Sequence, residues 1–496
     1  LPLRCNPIVT IAPRCRNKGL PLCNRTEFQM NNKRLKTIMV VAGAATVCAS
    51  APQARAQSVD ALLDKLVDKG ILSVSEANQL KEESDKGFSS AFSARTGLPE
   101  WASALKFNGD FRGRYEGFFF ENENPVDRQR FRYRLRFGAT AVFKDNLELG
   151  LRLSSSESSS GGSFGGDPIS GNTTFSDNAS KKFIFVDLAY GRWRAVNSPD
   201  FLATFTVGKM ENPFVFSDMV FDGDYTPEGV AAQLAYTLSD RHSLKFNAGA
   251  FVMDEIGGSN NDPYFVGAQA RFDSAWSKKI STSFGIAGLL IDNQEALNAS
   301  RSQTLTPTGT NTTTTWTIPN QNGGNSRSGV VGSTFGNLQN HYNPIVADAA
   351  LTWTLDKFPL YNGAFPIRFA GDYMYNPAAR HQNVGYSVGV TFGKSGKKGL
   401  WDLSYRYKYL EGDAWFEEFV DSDFGAFHQS SSARTGGGSG YIAGTNIKGH
   451  IIKLSYSPYD SLTLGATAFL TEAIQESPSG SGSGTARLQI DATLKF

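Results

Sequence analysis

Residues 128–143, RQRFRYRLRFGATAVF, alternate cationic and apolar side chains. Every even position from 128 to 136 is arginine, whereas Phe131, Tyr133, Leu135 and Phe137 fill the odd positions. A period of two is that of a β-strand, whose successive side chains point to opposite faces. Two structures fit this strand. In a soluble sheet the apolar face is the core, and in a transmembrane barrel it meets lipid while the arginines line a polar lumen.

The same alternation recurs to the end of the chain and predicts an all-β fold of about sixteen strands. The predicted strands are 105–120, 128–143, 147–155, 181–194, 201–210, 228–238, 243–254, 264–276, 280–291, 344–355, 365–376, 384–394, 399–411, 447–457, 461–471 and 486–496. The fourth and the fourteenth of them alternate poorly.

The connections between the predicted strands differ systematically in length. Those after even-numbered strands are short, such as 144–146 and 239–241, whereas most after odd-numbered strands are longer, such as 156–180, 292–343 and 412–446. A transmembrane barrel with short periplasmic turns and long outer loops has this asymmetry. The sequence therefore favours a transmembrane antiparallel β-barrel, formed by residues 105–496, over a secreted soluble β protein.

The N-terminal part has the features of an export signal. Residues 30–56 combine a basic stretch at 33–36, an apolar stretch at 37–50 and small residues typical of a cleavage site at 54–56, which together predict a cleaved signal peptide. Residues 1–29 show no period, and we expect them to be an upstream segment without a structural role.

Residues 57–104 are predicted to form a periplasmic helical or coiled-coil segment and a linker. Val59, Leu62, Leu63 and Leu66 share one helical stripe, and Gly70 suits a C-terminal cap. This segment either associates subunits or is a mobile amphipathic spacer, and the sequence does not separate the two.

Composition excludes several kinds of site in the mature chain. Residues 57–496 contain no cysteine, so disulfides and thiolate metal sites are excluded, and we predict no metal and no cofactor. Residues 1–56 hold nine of the 49 Lys and Arg but one of the 47 Asp and Glu, which leaves 40 against 46 and a net charge of −6. That charge gives no reason to expect a nucleic-acid partner. After the signal, no apolar run approaches the roughly 18 residues of a membrane helix, so any membrane span must be β.

The last residues, LQIDATLKF, alternate to the final position. Leu488, Ile490, Ala492, Leu494 and Phe496 share one face. This ending resembles the C-terminal strand signature of bacterial outer-membrane barrels.

About sixteen strands leave an aqueous channel inside a barrel. The arginines that we expect to line one side of this pore are Arg112, Arg114, Arg130, Arg132, Arg134, Arg136 and Arg152. An alternative is that they only pair with Asp110, Glu116 and Glu148 on adjacent strands as part of the barrel structure.

The loop 208–229 is too rich in Phe and Val for a freely solvated loop, so we expect it to fold into the lumen and constrict it. Its acidic residues are Glu211, Asp218, Asp222, Asp224 and Glu228. Opposite the arginines, they would produce a transverse field that sorts polar solutes. Further acidic residues argue against a purely anionic preference, namely Asp187, Asp273, Asp348, Asp372 and Asp402.

Several motifs identify a family resemblance. The motifs are GKMENPF, YTPEGVAAQLAY, YMYNP, WDLSYRYKYLEGDAWFEEFVDSDFG and GTNIKGH. In these the chain resembles the putative porin family of Gram-negative outer membranes. The resemblance implies passive diffusion of small hydrophilic solutes or ions through the barrel, a location in outer-membrane lipid and a homotrimer.

An enzyme and an adhesin or receptor are the two other classes of function to compare with the channel. The five histidines are accompanied by no G-x-S-x-G motif and no metal-binding spacing, so we predict that the protein is not an enzyme. An outer-membrane adhesin or receptor that acts through the long extracellular loops stays open as the alternative function.

Overall fold

The computed structural model describes residues 102–121, 126–157, 165–255, 260–298, 300–305, 312–317, 323–328, 337–428, 440–475 and 482–496. The upstream segment, the signal peptide and the helical segment predicted before residue 102 lie outside these residues. The last three residues of the predicted linker are already strand, because the first strand begins at Ala102.

Sixteen long strands form the barrel, and we number them in chain order. They are β1 (Ala102–Phe120), β2 (Arg128–Phe143), β3 (Leu147–Ser155), β4 (Ile184–Asn197), β5 (Phe201–Lys209), β6 (Glu228–Ser239), β7 (His242–Val252), β8 (Tyr264–Ala275), β9 (Ile280–Asp292), β10 (Ile345–Leu355), β11 (Phe365–Tyr375), β12 (Val384–Gly393), β13 (Leu400–Leu410), β14 (Ile447–Tyr459), β15 (Leu462–Ala473) and β16 (Thr485–Lys495).

Each strand pairs in antiparallel fashion with its neighbours in sequence, and β16 pairs with β1. Arg112 of β1, for example, lies opposite Arg134 of β2 on one side and opposite Thr493 of β16 on the other. The sheet is therefore closed, and closure leaves no unpaired edge strand. The predicted sixteen-strand antiparallel barrel is confirmed.

The predicted strand positions are close to the observed ones, with β4 displaced most. The sequence placed it at 181–194, whereas it spans Ile184–Asn197. Register shifts interrupt its pairing at Arg152/Leu153 and at Arg194/Val196, and β14 has a similar shift at Tyr456/Tyr459. An extra residue at a bulge reverses the alternation of inward and outward side chains, which explains the poor alternation of β4. In β14 the shift lies at the end of the strand, and the alternation is broken by Ile447 and Ile451, which are apolar but buried, whereas the neighbouring Ile452 is exposed.

The loops contain additional short elements that the period-two pattern did not predict. They are the strand Thr173–Thr174, the 3₁₀ helix Gln294–Asn298, and the paired strands Ser300–Leu305 with Thr312–Thr317, Arg327–Ser328 with Asn337–Leu338, and Gly425–His428 with Gly440–Ala443. Among the described residues, no helix has the length and the apolar character needed to cross a membrane.

The outer surface of the barrel is apolar. Phe131 and Phe137 of β2 and Leu151 of β3 are exposed on it, at 51%, 45% and 48%. The arginines between Phe131 and Phe137 are buried or half-buried on the inner side. This polarity is the inverse of a soluble barrel and fits a lumen with water inside and lipid outside.

The largest buried apolar cluster lies inside the barrel. It contains inward side chains near the long-loop ends of β7 to β13, including Phe251, Phe265 and Ile291. Most of the rest comes from two loops, 210–227 and 411–446, through residues such as Phe221 and Trp415. The connection between β9 and β10 adds Leu297, Leu338 and Tyr342. The first of these two loops and the described residues 411–428 of the second therefore fold into the lumen and pack on each other. We call them the 210–227 loop and the 411–446 loop.

A charge introduced on the outward face of β3 tests whether the outer surface of the barrel faces lipid. Leu151→Arg, in the middle of β3, is expected to destabilise the folded barrel in a bilayer by about 2–4 kcal/mol, because it places a charge near the middle of the lipid. The measurement is the free energy of unfolding from lipid vesicles in guanidinium chloride.

Leu147→Arg is the matched control for this experiment. Leu147 is the first residue of β3, follows the turn 144–146 and is 42% exposed. Near the membrane interface the same change should cost no more than about 1 kcal/mol. Equal effects at the two positions would contradict a lipid-facing outer surface.

Candidate functional site

The arginines of β1, β2 and β3 cover one side of the lumen. All seven predicted pore arginines lie on the inner faces of these strands, and we call this surface the arginine face; they are Arg112, Arg114, Arg130, Arg132, Arg134, Arg136 and Arg152. Strand register sets Arg112 directly opposite Arg134, and Arg114 opposite Arg132. Like charges directly opposite each other destabilise a sheet, so this surface requires carboxylates close by.

Two carboxylates of β1 supply part of the compensation. Asp110 accepts hydrogen bonds from Arg134 at 2.9 Å and from Arg136 at 2.7 Å. Glu116 is fully buried and accepts from Arg130 at 2.5 Å. The pairing of arginines with acids of adjacent strands, stated as an alternative from the sequence, thus occurs for Asp110 and Glu116. Glu148 differs, because it pairs with arginines of β4, among them Arg192 at 3.3 Å, rather than with Arg152.

The 210–227 loop begins at a glycine that no other residue replaces without strain. Gly208 has a φ of +112°, and a Cβ there would lie 2.3 Å from the carbonyl oxygen of Ala189. Gly208 is the second-last residue of β5, where it pairs with Gly229, and the chain leaves the strand after Lys209. The GK pair of the GKMENPF motif therefore ends β5 at the entrance to the loop.

Polar contacts anchor the 210–227 loop to strands on the far side of the barrel. The Val215 amide donates to Gln269 of β8 at 2.9 Å, and Ser217 donates to Asp372 of β11 at 2.7 Å. Asp218 accepts a hydrogen bond from Arg406 of β13 at 2.5 Å. Because the loop starts at β5 and reaches β13, it crosses the interior of the barrel.

The C-terminal half of the same loop reaches the arginine face. Asp224 accepts hydrogen bonds from Arg134 at 2.8 Å and from Arg136 at 3.4 Å. Arg134 therefore holds one carboxylate from its own sheet and one from the loop. A guanidinium with its planar fork of donors can bind two carboxylates in this way and remain charged.

Two further predicted loop acids, Glu211 and Glu228, lie near the ends of the loop. Glu211 accepts from Arg152 at 2.8 Å, and Glu228 accepts from Lys209 at 3.0 Å. Asp187 completes the set around Arg152, whose Nε donates to it at 2.5 Å. These pairs lie at the junction of the loop with the barrel.

The 411–446 loop contributes residues that the sequence did not single out. Asp222 accepts from the Ser422 amide at 2.9 Å, and the Asp222 amide donates to the Phe419 carbonyl at 2.7 Å. The Trp415 indole donates to the carbonyl of Val220 at 2.9 Å. These contacts, together with the shared apolar cluster, hold the two loops together inside the lumen.

Asp423 is the second carboxylate that the 411–446 loop brings to the arginines. It accepts from Arg114 at 3.0 Å and from Arg487 of β16 at 2.7 Å. Arg487 also binds the buried Glu116. The alternation of β16 places Arg487 on its polar face, so the sequence held a signal for its orientation but none for its partners.

The pKa values of the carboxylates at the contact between the two loops are shifted in opposite directions, although burial raises all of them. Burial, together with the nearby Asp421 and Asp224 carboxylates, holds the pKa of Asp222 well above its usual range. Burial also raises the pKa of Asp421 to about 6, against the opposing charge of Lys408. Burial acts the same way on Asp423, but the guanidiniums of Arg487 and Arg114 outweigh it and hold that pKa below its ordinary value.

Three cavities follow one another along the lumen. One of about 630 Å³ and one of about 670 Å³ share Arg134 and Asp224 in their linings. The first also shares Arg368 with a cavity of about 400 Å³ at the short-turn end, beside the turn 240–241. The Arg134–Asp224 ion pair thus separates the two larger cavities.

The described residues offer little for catalysis or metal binding. They contain no group of three or more His, Cys, Asp or Glu that could hold a metal ion. Ser274 and His242 are hydrogen-bonded at 2.8 Å, but Ser274 is buried and no described acid orients the second ring nitrogen of His242. A catalytic triad needs that third group.

Comparison with known proteins finds a matching family model. The family model described as "Putative porin" matches residues 123–344, and the resemblance stated from the sequence motifs is thereby confirmed. No curated protein sequence matches the chain significantly. The family match supports an outer-membrane channel rather than an enzyme.

Three solved structures illustrate the similarity of fold. They are the high-pH structure of Pseudomonas putida OprB (9% identity, 81% of this chain and 96% of that chain, TM-score 0.46), a multiple mutant of Rh. blastica porin (9% identity, 79% and 100%, TM-score 0.38), and a loop-deletion mutant of OmpT of Vibrio cholerae (10% identity, 79% and 99%, TM-score 0.39).

The contact between the two loops predicts a pH-dependent stability with a defined sign. Asp421 binds its proton more tightly in the folded chain, so its contribution to stability is present below pH 3.8 and is lost as the pH rises through about 6. Asp421→Asn stays neutral at every pH. The melting temperature of this variant relative to the wild type should therefore increase by about 2 °C or more between pH 4.5 and 7.5 in detergent micelles.

Asp423→Asn is the matched variant with the opposite expectation. The pKa of Asp423 is lowered by Arg487 and Arg114, so its contribution is fully present above pH 3.8 and is lost only in stronger acid. This variant should be less stable than the wild type throughout the same pH range. If both variants show the same pH profile, the assigned environments of Asp421 and Asp423 are wrong.

Proposed function

We propose that the protein is an outer-membrane porin, in which the barrel lumen lets small hydrophilic solutes and ions diffuse passively across the membrane. The apolar outer face, the polar interior and the family match support this function. A barrel of sixteen strands is wide enough to retain an aqueous passage even with two loops folded into it.

The observation that carries the proposal is the Arg134–Asp224 ion pair between the two larger cavities. A loop anchored on β13 by Asp218 and on β2 by Asp224 leaves a passage with acids on the loop side and cations on the arginine face. We infer that this is the narrowest part of the route. The opposed charges produce a field across it, through which polar solutes orient and pass more easily than apolar ones.

The pairing of the arginines is compatible with this role. Asp110 and Glu116 fix the guanidinium groups of Arg134 and Arg130 on the sheet, and fixed charges give a passage of constant width and field. The structural pairing and the selective field are therefore two consequences of the same contacts rather than competing explanations.

Four finer features remain predictions. They are the cleaved signal peptide at 30–56, the association of the helical segment 57–104 with other subunits, the homotrimer and the identity of the solute. The segments 30–56 and 57–101 lie outside the described residues.

Single-charge variants at the ion pair test the proposal. The measurement is the reversal potential of the purified protein in a planar bilayer under a KCl gradient. Removing a fixed cation from a narrow passage raises its preference for cations, and removing a fixed anion does the reverse. Arg134→Ala, like Arg132→Ala, should therefore shift the reversal potential toward cation preference, and Asp224→Asn toward anion preference, each by about 10 mV or more, within the range that electrostatic pore fields produce.

Lys279→Gln is the control. Lys279 lies in a turn at the end of the barrel, is exposed and pairs with Asp356 at 2.6 Å, so its loss changes the net charge equally without altering the narrow passage. An unchanged reversal potential in the Arg134 and Asp224 variants would show that the pair is purely structural. A folded barrel without conductance would overturn the channel and favour the adhesin or receptor.

A further inference from the structure

A row of polar side chains crosses four neighbouring strands on the side of the lumen away from the arginine face. Arg368 of β11 lies opposite Thr391 of β12, Thr391 opposite Ser404 of β13, and Ser404 opposite Lys453 of β14. Neighbouring strands are about 4.8 Å apart, so the row is about 14 Å long. It has a cation at each end and two hydroxyl groups between them.

All four side chains point into the lumen. Each lines the cavity of about 630 Å³. Their neighbours along the strands, such as Phe369 beside Arg368 and Leu454 beside Lys453, are exposed on the outer surface. Arg368 and Lys453 are nevertheless both exposed, which places their charged groups in the water-accessible part of the lumen.

The row differs from the arginine face in that its charges are not neutralised. Among the described residues, none of the four side chains has a hydrogen-bond or ion-pair partner. The acids of nearby strands are engaged elsewhere. Asp348 pairs with Arg271 at 2.8 Å, Asp372 accepts from Ser217 and Ser387, and Asp402 accepts from the Ser395 amide at 3.0 Å.

We propose that the row formed by Arg368, Thr391, Ser404 and Lys453 is a binding subsite for small oxyanions, either carboxylates or phosphates. This subsite rests on the proposed channel function and adds a solute class to it. Guanidinium groups bind carboxylate and phosphate through two parallel hydrogen bonds, an ammonium group adds a mobile point charge, and hydroxyl groups donate to remaining oxygens.

The position of the row suits a site that a solute binds briefly while it passes through the lumen. Arg368 lines both the cavity of about 630 Å³ and the cavity of about 400 Å³ at the short-turn end. The row therefore lies where one cavity opens into the other. The four side chains are exposed or half-buried, and an anion held there keeps part of its hydration. Conduction needs binding that is strong enough to attract the solute and weak enough to release it.

Block of the chloride current by larger oxyanions tests the subsite. The probes are inorganic phosphate and malonate, added to one side of a bilayer that holds the purified wild-type protein in KCl. We expect at least one probe to reduce the current in a saturable way. In Arg368→Gln the concentration for half-block should rise about tenfold, the size of one charge-assisted hydrogen bond, and Lys453→Gln should act in the same direction.

A control variant and a comparison of the two probes help to interpret the block. Lys245→Gln removes an exposed lysine of β7 that is paired with Asp273 at 2.7 Å, and it should leave the half-block concentration unchanged. Block by phosphate alone or by malonate alone would decide between the two oxyanion classes.

The failure of the subsite and the failure of the channel are distinguishable. If the wild type conducts KCl but neither probe blocks it, or if Arg368→Gln, Lys453→Gln and Lys245→Gln all weaken block equally, the subsite is overturned while the channel stands. If the wild type does not conduct KCl at all, the channel itself is overturned and the subsite with it.

Discussion

The pairing of arginine with carboxylate inside the barrel is the interaction on which the rest of the structure depends. Strand register places Arg112 against Arg134 and Arg114 against Arg132, an arrangement that is unfavourable unless anions lie within a few ångströms. The β-strands supply only part of these anions. Other anions, among them Asp224, Asp423 and Glu211, come from loops, so the charge of the strands contributes to the position of the loops.

The second consequence is that the buried core of this protein lies in its lumen. The outer side chains have no protein partner, because they face lipid, and the apolar residues of the two inward loops therefore pack on one another and on the inner ends of β7 to β13. One side of the lumen is filled with aromatic residues and the other keeps cavities lined by charge. This asymmetry, and not the number of strands alone, therefore sets the open cross-section of the lumen.

Much of the fold was predictable, because lipid outside and water inside impose a strict period of two on every strand. The exceptions have local causes. In β4 two register shifts break the alternation, and the sequence placed this strand three residues too early. The inner position of the 411–428 part of the second loop was missed because its carboxylates, Asp421 and Asp423, look like those of any solvated loop until their partners are known.

The sequence by itself determined the barrel, its strand count, the lipid-facing side chains and the inward direction of the arginines, because each follows from alternation along a single strand. Only the tertiary structure decided which charges meet, since Arg114 is 309 residues from Asp423 and Asp423 is 64 residues from Arg487, and closure of the barrel brings the three together. The same holds for the unpaired row from Arg368 to Lys453, which exists only because four strands align in register.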